Sequence, residues 1–380
     1  MFLIFTGTAA LATLALFTKQ SLLVAYIALG IIIGPWGLAW VKDTSFINEI
    51  GNIGILFLLF LLGLHLHPQN LLQSLSKMSK VTIVSSILLL ALGLGIGYLF
   101  AMNFKNSLLI GLSMMFSSTI ICLKLLPTSI LNHQYTGELA VSILLLQDII
   151  AILALLAIKI LACQHFSFND IGLIISGLPL MLIAAIVGER YLLSPLIYRF
   201  DRIQEYIFII SIGWCLAMTV LSTKLGLPNE IGAFIAGVAL ATHPISLYIA
   251  ENLKPLRDFF LVIFFFTIGA SFDLSYLQQI IVPAIILSGA ILILKPWIFY
   301  YLLCHSGADR KQSWEIAIRL GQSSEFSLLL ASLATTEHLI LPKTFYLVES
   351  TTIITFVASC YWVTIKYPTP MASANKCHKN

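Results

Sequence analysis

The stretch Glu138–Leu156, ELAVSILLLQDIIAILALL, carries the polar pair Gln147-Asp148 at the centre of the predicted helix 138–161, with no polar neighbour for several residues either way. About 20 apolar residues rising 1.5 Å each match a hydrocarbon core of about 30 Å, so a run of this kind reads as a membrane span. Comparable runs recur along the chain. Bounded by Gly, Pro or charge, they predict helices at 2–17, 21–41, 50–66, 80–101, 107–126, 138–161, 171–190, 205–226, 229–243, 256–272, 281–303, 313–335 and 343–366. The expected fold is therefore an all-α integral membrane protein of about 13 transmembrane helices. The count falls to twelve if a short segment (the first, ninth or tenth) merges with a neighbour or re-enters.

Composition agrees. The 380 residues are 59% hydrophobic and 10% charged, against about 25% charged in a soluble domain, so lipid must serve as solvent. No long polar interval interrupts the spans, which predicts one membrane domain over 1–366 and a short polar tail over 367–380. The net charge of +4 is dispersed, without the basic stripe and interleaved aromatics of a nucleic-acid groove. Cys122, Cys163, Cys215, Cys304, Cys360 and Cys377 stand singly, with no disulfide or zinc spacing. The run from Phe2 to Phe17 lacks a basic n-region and a small-residue cleavage site, and reads as a retained first helix.

Charge orients the stack, because Lys and Arg stay on the cytoplasmic side. Fifteen basic residues follow odd-numbered helices, among them Lys80, Arg190, Arg199, Arg257, Arg310 and Lys366, against five after even-numbered ones (Lys42, Lys105, Lys159, Lys224, Lys343). That asymmetry predicts an outside N-terminus and a cytoplasmic C-terminus in the cell inner (plasma) membrane.

The two halves of the chain resemble each other. FLLFLLGLHLHPQNL, with Gly63, matches FLVIFFFTIGASFDLSYL, with Gly269, at an offset of 206, and Ser117-Ser118 stands 206 residues before Ser323-Ser324. AYIALGIIIGP matches GAFIAGVALATHP at 207 to 209. Three matches in one order at nearly one offset relate helices two to six to helices nine to thirteen. A shift of seven helices is odd, so the second copy is inverted in the membrane.

Four polar features fall inside spans, where an ionised group costs at least about 2.5 to 3.5 kcal/mol without a partner. Asp148 is the most isolated, and a carboxyl that is neutral when protonated or paired with a cation is the simplest group over which H⁺ and a metal ion can compete. Lys295, in GAILILKPWIF, either snorkels to an interface or lies beside Asp148 as an ion pair that reorganises when the cation arrives; the pair is the expectation. Pro296 removes a backbone donor and predicts local bending there. Ser117-Ser118-Thr119 and Gln322-Ser323-Ser324-Glu325 read as breaks in two repeat-related helices, whose freed carbonyls and half-helix ends face a common cavity. Glu325 would be a second proton site or the counter-charge to the helix termini. His65 and His67, spaced i, i+2 before Pro68, lack further ligands and read as a solvated helix end.

Together, SSTI at 117–120, LLLQDI at 144–149, GAFIAG at 232–237, FFFTIGASFD at 264–273 and GQSSEF at 321–326 resemble the membrane part of Kef-type transporters of the second monovalent cation:proton antiporter family, over about residues 20 to 365. The resemblance implies an inverted repeat with two crossed discontinuous helices, broken at Ser118-Thr119 and Ser324-Glu325. It implies that Asp148 binds the ion and the proton, with Gln147 as its neighbour and Lys295 as the intramembrane lysine. It also implies a homodimer whose core bundle moves against a dimerisation scaffold, with K⁺ favoured and Na⁺ admitted. His65 and His67 stand where family members commonly carry acids. After the last helix only YPTPMASANKCHKN remains, where many members continue into a nucleotide-binding domain. The expectation is either a stand-alone antiporter or one regulated by a separate subunit.

The competing readings are a potassium efflux channel without proton coupling and a non-transporting membrane sensor. A carboxylate at the midplane binds an ion and demands a conformational step, which disfavours a simple pore. An enzyme would need a nucleophile or metal constellation, and neither HExxH nor GxSxG occurs. No cofactor is expected.

Overall fold

The structure is a computed structural model that describes residues 2–18, 20, 22–41, 45–65, 68–119, 121–122, 135–162, 168–200, 203–243 and 245–367. Lys19, Lys42, His67, Lys124, Cys163, Arg202 and the tail from 368 onward lie outside the described residues. The described chain is helical: α1 Phe2–Phe17, α2 Leu22–Ile33, α3 Ser45–His65, α4 Pro68–Leu99, α5 Phe104–Met115, α6 Tyr135–Ala162, α7 Phe168–Gly188, α8 Ser194–Arg199, α9 Gln204–Lys224, α10 Asn229–Ala241, α11 Ser246–Ser271, α12 Leu277–His305, α13 Arg310–Arg319, α14 Glu325–Thr336 and α15 Pro342–Lys366. Six of these stretches are long and apolar enough to cross a membrane unaided, and five shorter apolar helices accompany them.

Several boundaries differ from the apolar-run reading. α2 stops at Ile33 rather than near residue 41, because Gly34 makes the last helical bond, to the Gly30 carbonyl, and Pro35 cannot continue the ladder. The chain then hooks back, with Leu38 N–H on the Ile32 carbonyl and Val41 N–H on the Ile33 carbonyl. α11 begins ten residues before the predicted 256 and runs through Glu251, Lys254 and Arg257, since helical hydrogen bonding does not require an apolar surface. α4 likewise extends back to Pro68. One π turn, Glu189–Leu193, joins α7 to α8.

The chain divides into two compact units. One comprises residues 30–72 and 155–271. In it α3 packs against α10 and α11, and α10 against α9. Small residues set the separation of these helices. A Cβ on Gly30 would lie 2.1 Å from the Phe266 carbonyl oxygen and 2.7 Å from Ala270 N. One on Gly63 would lie 2.5 Å from the Phe234 carbonyl oxygen and 2.8 Å from Val238 N, and one on Gly237 would lie 2.0 Å from the Phe60 carbonyl oxygen. The repeat maps Gly30 onto Gly237 and Gly63 onto Gly269, so the chain builds the same close contact twice, α2 on α11 and α10 on α3.

The other unit comprises residues 1–29, 73–154 and 272–380. Here α12 packs against α13 and α15, and α14 packs against α5 and α15. It contains both serine-rich centres.

Candidate functional site

Neither serine-rich segment is a continuous helix. α5 ends at Met115, Phe116 is extended (φ −90°, ψ 142°), and helix resumes at Thr119. α13 ends at Arg319 and α14 starts only at Glu325, after an extended Ser324 (φ −129°, ψ 155°). The two extended segments cross, and the Ser118 N–H donates to the Ser323 carbonyl at 2.9 Å.

Breaking a helix frees donors and acceptors that cost free energy if left unpaired in an apolar interior. Several of them are met by named groups. The Ser117 N–H, which would have bonded Ser113 in a helix, donates to Gln147 Oε1 at 3.1 Å, and Gln147 Nε2 donates to the Met115 carbonyl at 2.9 Å. The Ser113 carbonyl instead accepts the Ser327 hydroxyl at 2.7 Å. Ser117 Oγ donates to the Leu320 carbonyl at 2.8 Å. In the second break the Ser323 N–H donates to Thr355 Oγ1 at 3.2 Å, and Ser359 Oγ donates to Gln322 Oε1 at 3.0 Å.

Lys295 is fully buried, which excludes snorkelling, and the expected ion pair with Asp148 is not formed. Its ammonium donates to the Phe116 carbonyl at 2.6 Å and the Gln322 carbonyl at 3.0 Å. These two carbonyls are 206 residues apart, the offset of the repeat, so one lysine clamps equivalent points of both breaks. The physical reason lies in the helix ends. Both carbonyls follow the C-termini of half-helices, α5 and α13, which carry partial negative charge that one ammonium offsets. Pro296 stays within α12 and packs against the second break, with its Cγ 2.8 Å from where a Gly321 Cβ would stand.

The half-helix N-termini carry the acids. Ser118 Oγ accepts the Ile121 N–H at 3.1 Å and Ser324 Oγ accepts the Phe326 N–H at 3.2 Å, two equivalent N-caps. The residue after each cap is Thr119 in one copy and Glu325 in the other. Asp148, 1% exposed, receives the Thr119 hydroxyl, which lies 3.4 Å from Oδ1 and 3.3 Å from Oδ2. Glu325 is the acid close enough to interact with it electrostatically. No basic side chain among the described residues forms an ion pair with Asp148.

All seven residues singled out from the sequence (Gln147, Asp148, Lys295, Ser118, Thr119, Ser324 and Glu325) thus sit in one unit, without an ion pair between Asp148 and Lys295. Sequence reading missed the polar stripe of α15. Thr352, Thr355 and Ser359 recur at helical spacing along the predicted span 343–366, and that periodicity was the available signal.

A membrane domain with two crossed, interrupted helices, one beginning with Glu325 and the other meeting the buried Asp148 through Thr119, defines a class of secondary transporter. The chain belongs to the family described as sodium/hydrogen exchanger, transmembrane, whose model matches residues 3–365. Membership makes it a multi-pass membrane protein of the cation:proton antiporter class. Among solved structures it is similar in fold to the sodium proton antiporter MjNhaP1 from Methanocaldococcus jannaschii at pH 8, with 17% sequence identity, 96% of each chain covered and a TM-score of 0.68. That fold is an inverted repeat, as the internal offset predicts.

Proposed function

We propose that this protein exchanges a monovalent cation for H⁺ by alternating access, with Asp148 as the shared binding site. The observation that carries the reading is the setting of Asp148: buried, without a basic partner among the described residues, and facing through Thr119 the N-terminus of a broken helix. A carboxyl there is stable in two forms, protonated or cation-bound, because the bare ion is expensive at that depth. The empty, unprotonated carrier then crosses poorly, and exchange follows without a separate gate. Thr119 contacts it, Ser118 and Ser324 cap the two half-helix starts and Glu325 begins the second, and these groups supply oxygen ligands or counter-charge, while Gln147 and Lys295 hold the crossing.

The protein acts as a homodimer, with its C-terminus in the cytoplasm of a cell bounded by the membrane it spans. Na⁺ is the ion of the family description and K⁺ the one toward which the Kef-like motifs lean. Both are tested by one experiment. In proteoliposomes with a trapped pH dye, separate additions of K⁺, Na⁺ and Li⁺ are expected to drive proton movement for at least one ion. Asp148→Asn, which keeps shape and polarity, is expected to insert normally and lose that flux. Cation-driven flux of wild-type size in Asp148→Asn would overturn the assignment and turn attention to Glu325.

A further inference from the structure

One carboxyl in the same unit has no place in the exchange just described. Glu349 is fully buried in α15, and neither Oε1 nor Oε2 has a hydrogen-bond partner among the described residues. It lies seven residues into α15, about 10 Å along the axis from Pro342 and so inside the apolar layer. An ionised carboxylate in such a setting is strongly disfavoured, whereas a protonated one is tolerated.

Its neighbours tie it to the crossing. Three residues on, and therefore adjacent on the helix surface, Thr352 reaches the Ser323 hydroxyl at 3.3 Å. Ser323 Oγ in turn lies 3.3 Å from Ser327 Oγ, which donates to the Ser113 carbonyl freed by the first break. Three residues back, Tyr346 stacks on Tyr276 with ring centroids 4.9 Å apart, beside the turn capped by Asp273. Glu349 therefore stands between a half-exposed aromatic end and a file of hydroxyls that ends on the broken helix. The elements packed against α15 bring Lys295 from α12, Arg319 from α13, Glu325 from α14 and Lys105 from α5. None of these bonds to Glu349: Lys295 is held by two carbonyls and Arg319 is paired with Glu315 at 2.7 Å.

We propose that Glu349 is a second proton-binding site of the transporter, protonated in this conformation, loaded from the Asp273–Tyr346 end and coupled to the crossing through Thr352 and Ser323. The proposal rests on the antiport reading. A rearrangement of the break changes the partners of Ser323, and with them the surroundings of Thr352 and the Glu349 carboxyl one turn away. The proton Glu349 carries is then exchanged in the conformational step, in addition to the one that competes at Asp148. The inverted repeat supplies no counterpart, since offsets of 206 to 209 from Glu349 fall on Ile143, Ser142, Val141 and Ala140 of α6.

The test uses the full chain. Reversal potentials of cation-driven proton flux in proteoliposomes give protons moved per cation. Wild type and Glu349→Asp, which keeps a carboxyl, are expected to exceed Glu349→Gln, which keeps the shape, by about one proton per cation. Equal ratios in wild type and Glu349→Gln overturn the proposal. Absence of cation-driven flux in wild type is a different result, the failure of the antiport reading itself. A second arm needs neither transport nor a substitution at Glu349. Dicyclohexylcarbodiimide, which couples to protonated carboxyls in apolar surroundings, is expected to modify Glu349 in wild type and Asp148→Asn alike, more slowly as pH rises. Glu349 left unmodified at low pH overturns the proposal.

Discussion

The glycine seam of one unit and the crossing of the other are both products of the inverted repeat, and they use it in opposite ways. In the seam the two copies are chemically alike: Gly30 meets the backbone around Gly269 as Gly237 meets the backbone around Gly63. In the crossing the backbones are alike and the side chains differ. Gln147 staples one break and Thr355 with Ser359 the other, while Thr119 beside Asp148 in one copy faces Glu325 in its counterpart. Where both copies agree, the requirement is close helix packing. Where they diverge, one helix N-terminus meets Asp148 through Thr119 and its counterpart begins with Glu325.

The seam offers the severest way to break this comparison. Gly237→Val would drive a side chain into the Phe60 carbonyl, where even a Cβ stands at 2.0 Å. The expected cost is about 3 kcal/mol or more, read as loss of the monodisperse peak in detergent, and Gly63→Val should match it if the two contacts are equivalent. Lys295→Met comes next, because it strips both breaks of their shared donor: about 3 kcal/mol in thermal unfolding. An ion pair with Asp148 would have moved the activity optimum to higher pH on losing the lysine. With the ammonium on two carbonyls, the residual activity is expected to keep its pH profile.

The staples sharpen the contrast between the copies. Gln147→Leu removes two bonds and leaves the Ser117 N–H buried without its acceptor, an expected loss of about 2 kcal/mol. Thr355→Val removes one acceptor from the equivalent Ser323 N–H, about 1 kcal/mol. Unfolding midpoints of the two variants, measured side by side, check the order, and a larger effect at Thr355 would reverse the assignment of the main staple.

Much of the crossing was legible in the sequence, because a polar residue in a span must be explained and a fixed offset pairs one break with the other. Breaks in the two serine-rich segments and the isolation of Asp148 followed from that, while the crossing and the placement of the breaks at Ser118-Thr119 and Ser324-Glu325 came with the family resemblance. The partner of Lys295 did not. A lysine in hydrocarbon calls for negative charge, and two backbone carbonyls at half-helix ends meet that need without any acidic residue to mark them. Gln147 was read from the resemblance as the neighbour of Asp148, and nothing in the sequence shows that its amide supplies the donor and the acceptor that a broken helix lacks. The early start of α11 was hidden because Glu251, Lys254 and Arg257 end an apolar run without ending a helix.

The central claim is that cation and proton compete for the carboxyl of Asp148, and proton release on cation binding tests it most directly. Calorimetric titration of the detergent-solubilised protein with the transported cation, repeated in buffers of different ionisation enthalpy, gives the protons released per ion bound. Linkage predicts about one proton released in wild type below the carboxyl's own titration range, with affinity rising about tenfold per pH unit there. Asp148→Asn is predicted to release none. Cation binding to wild type with no proton release, or undiminished release from Asp148→Asn, would contradict the account.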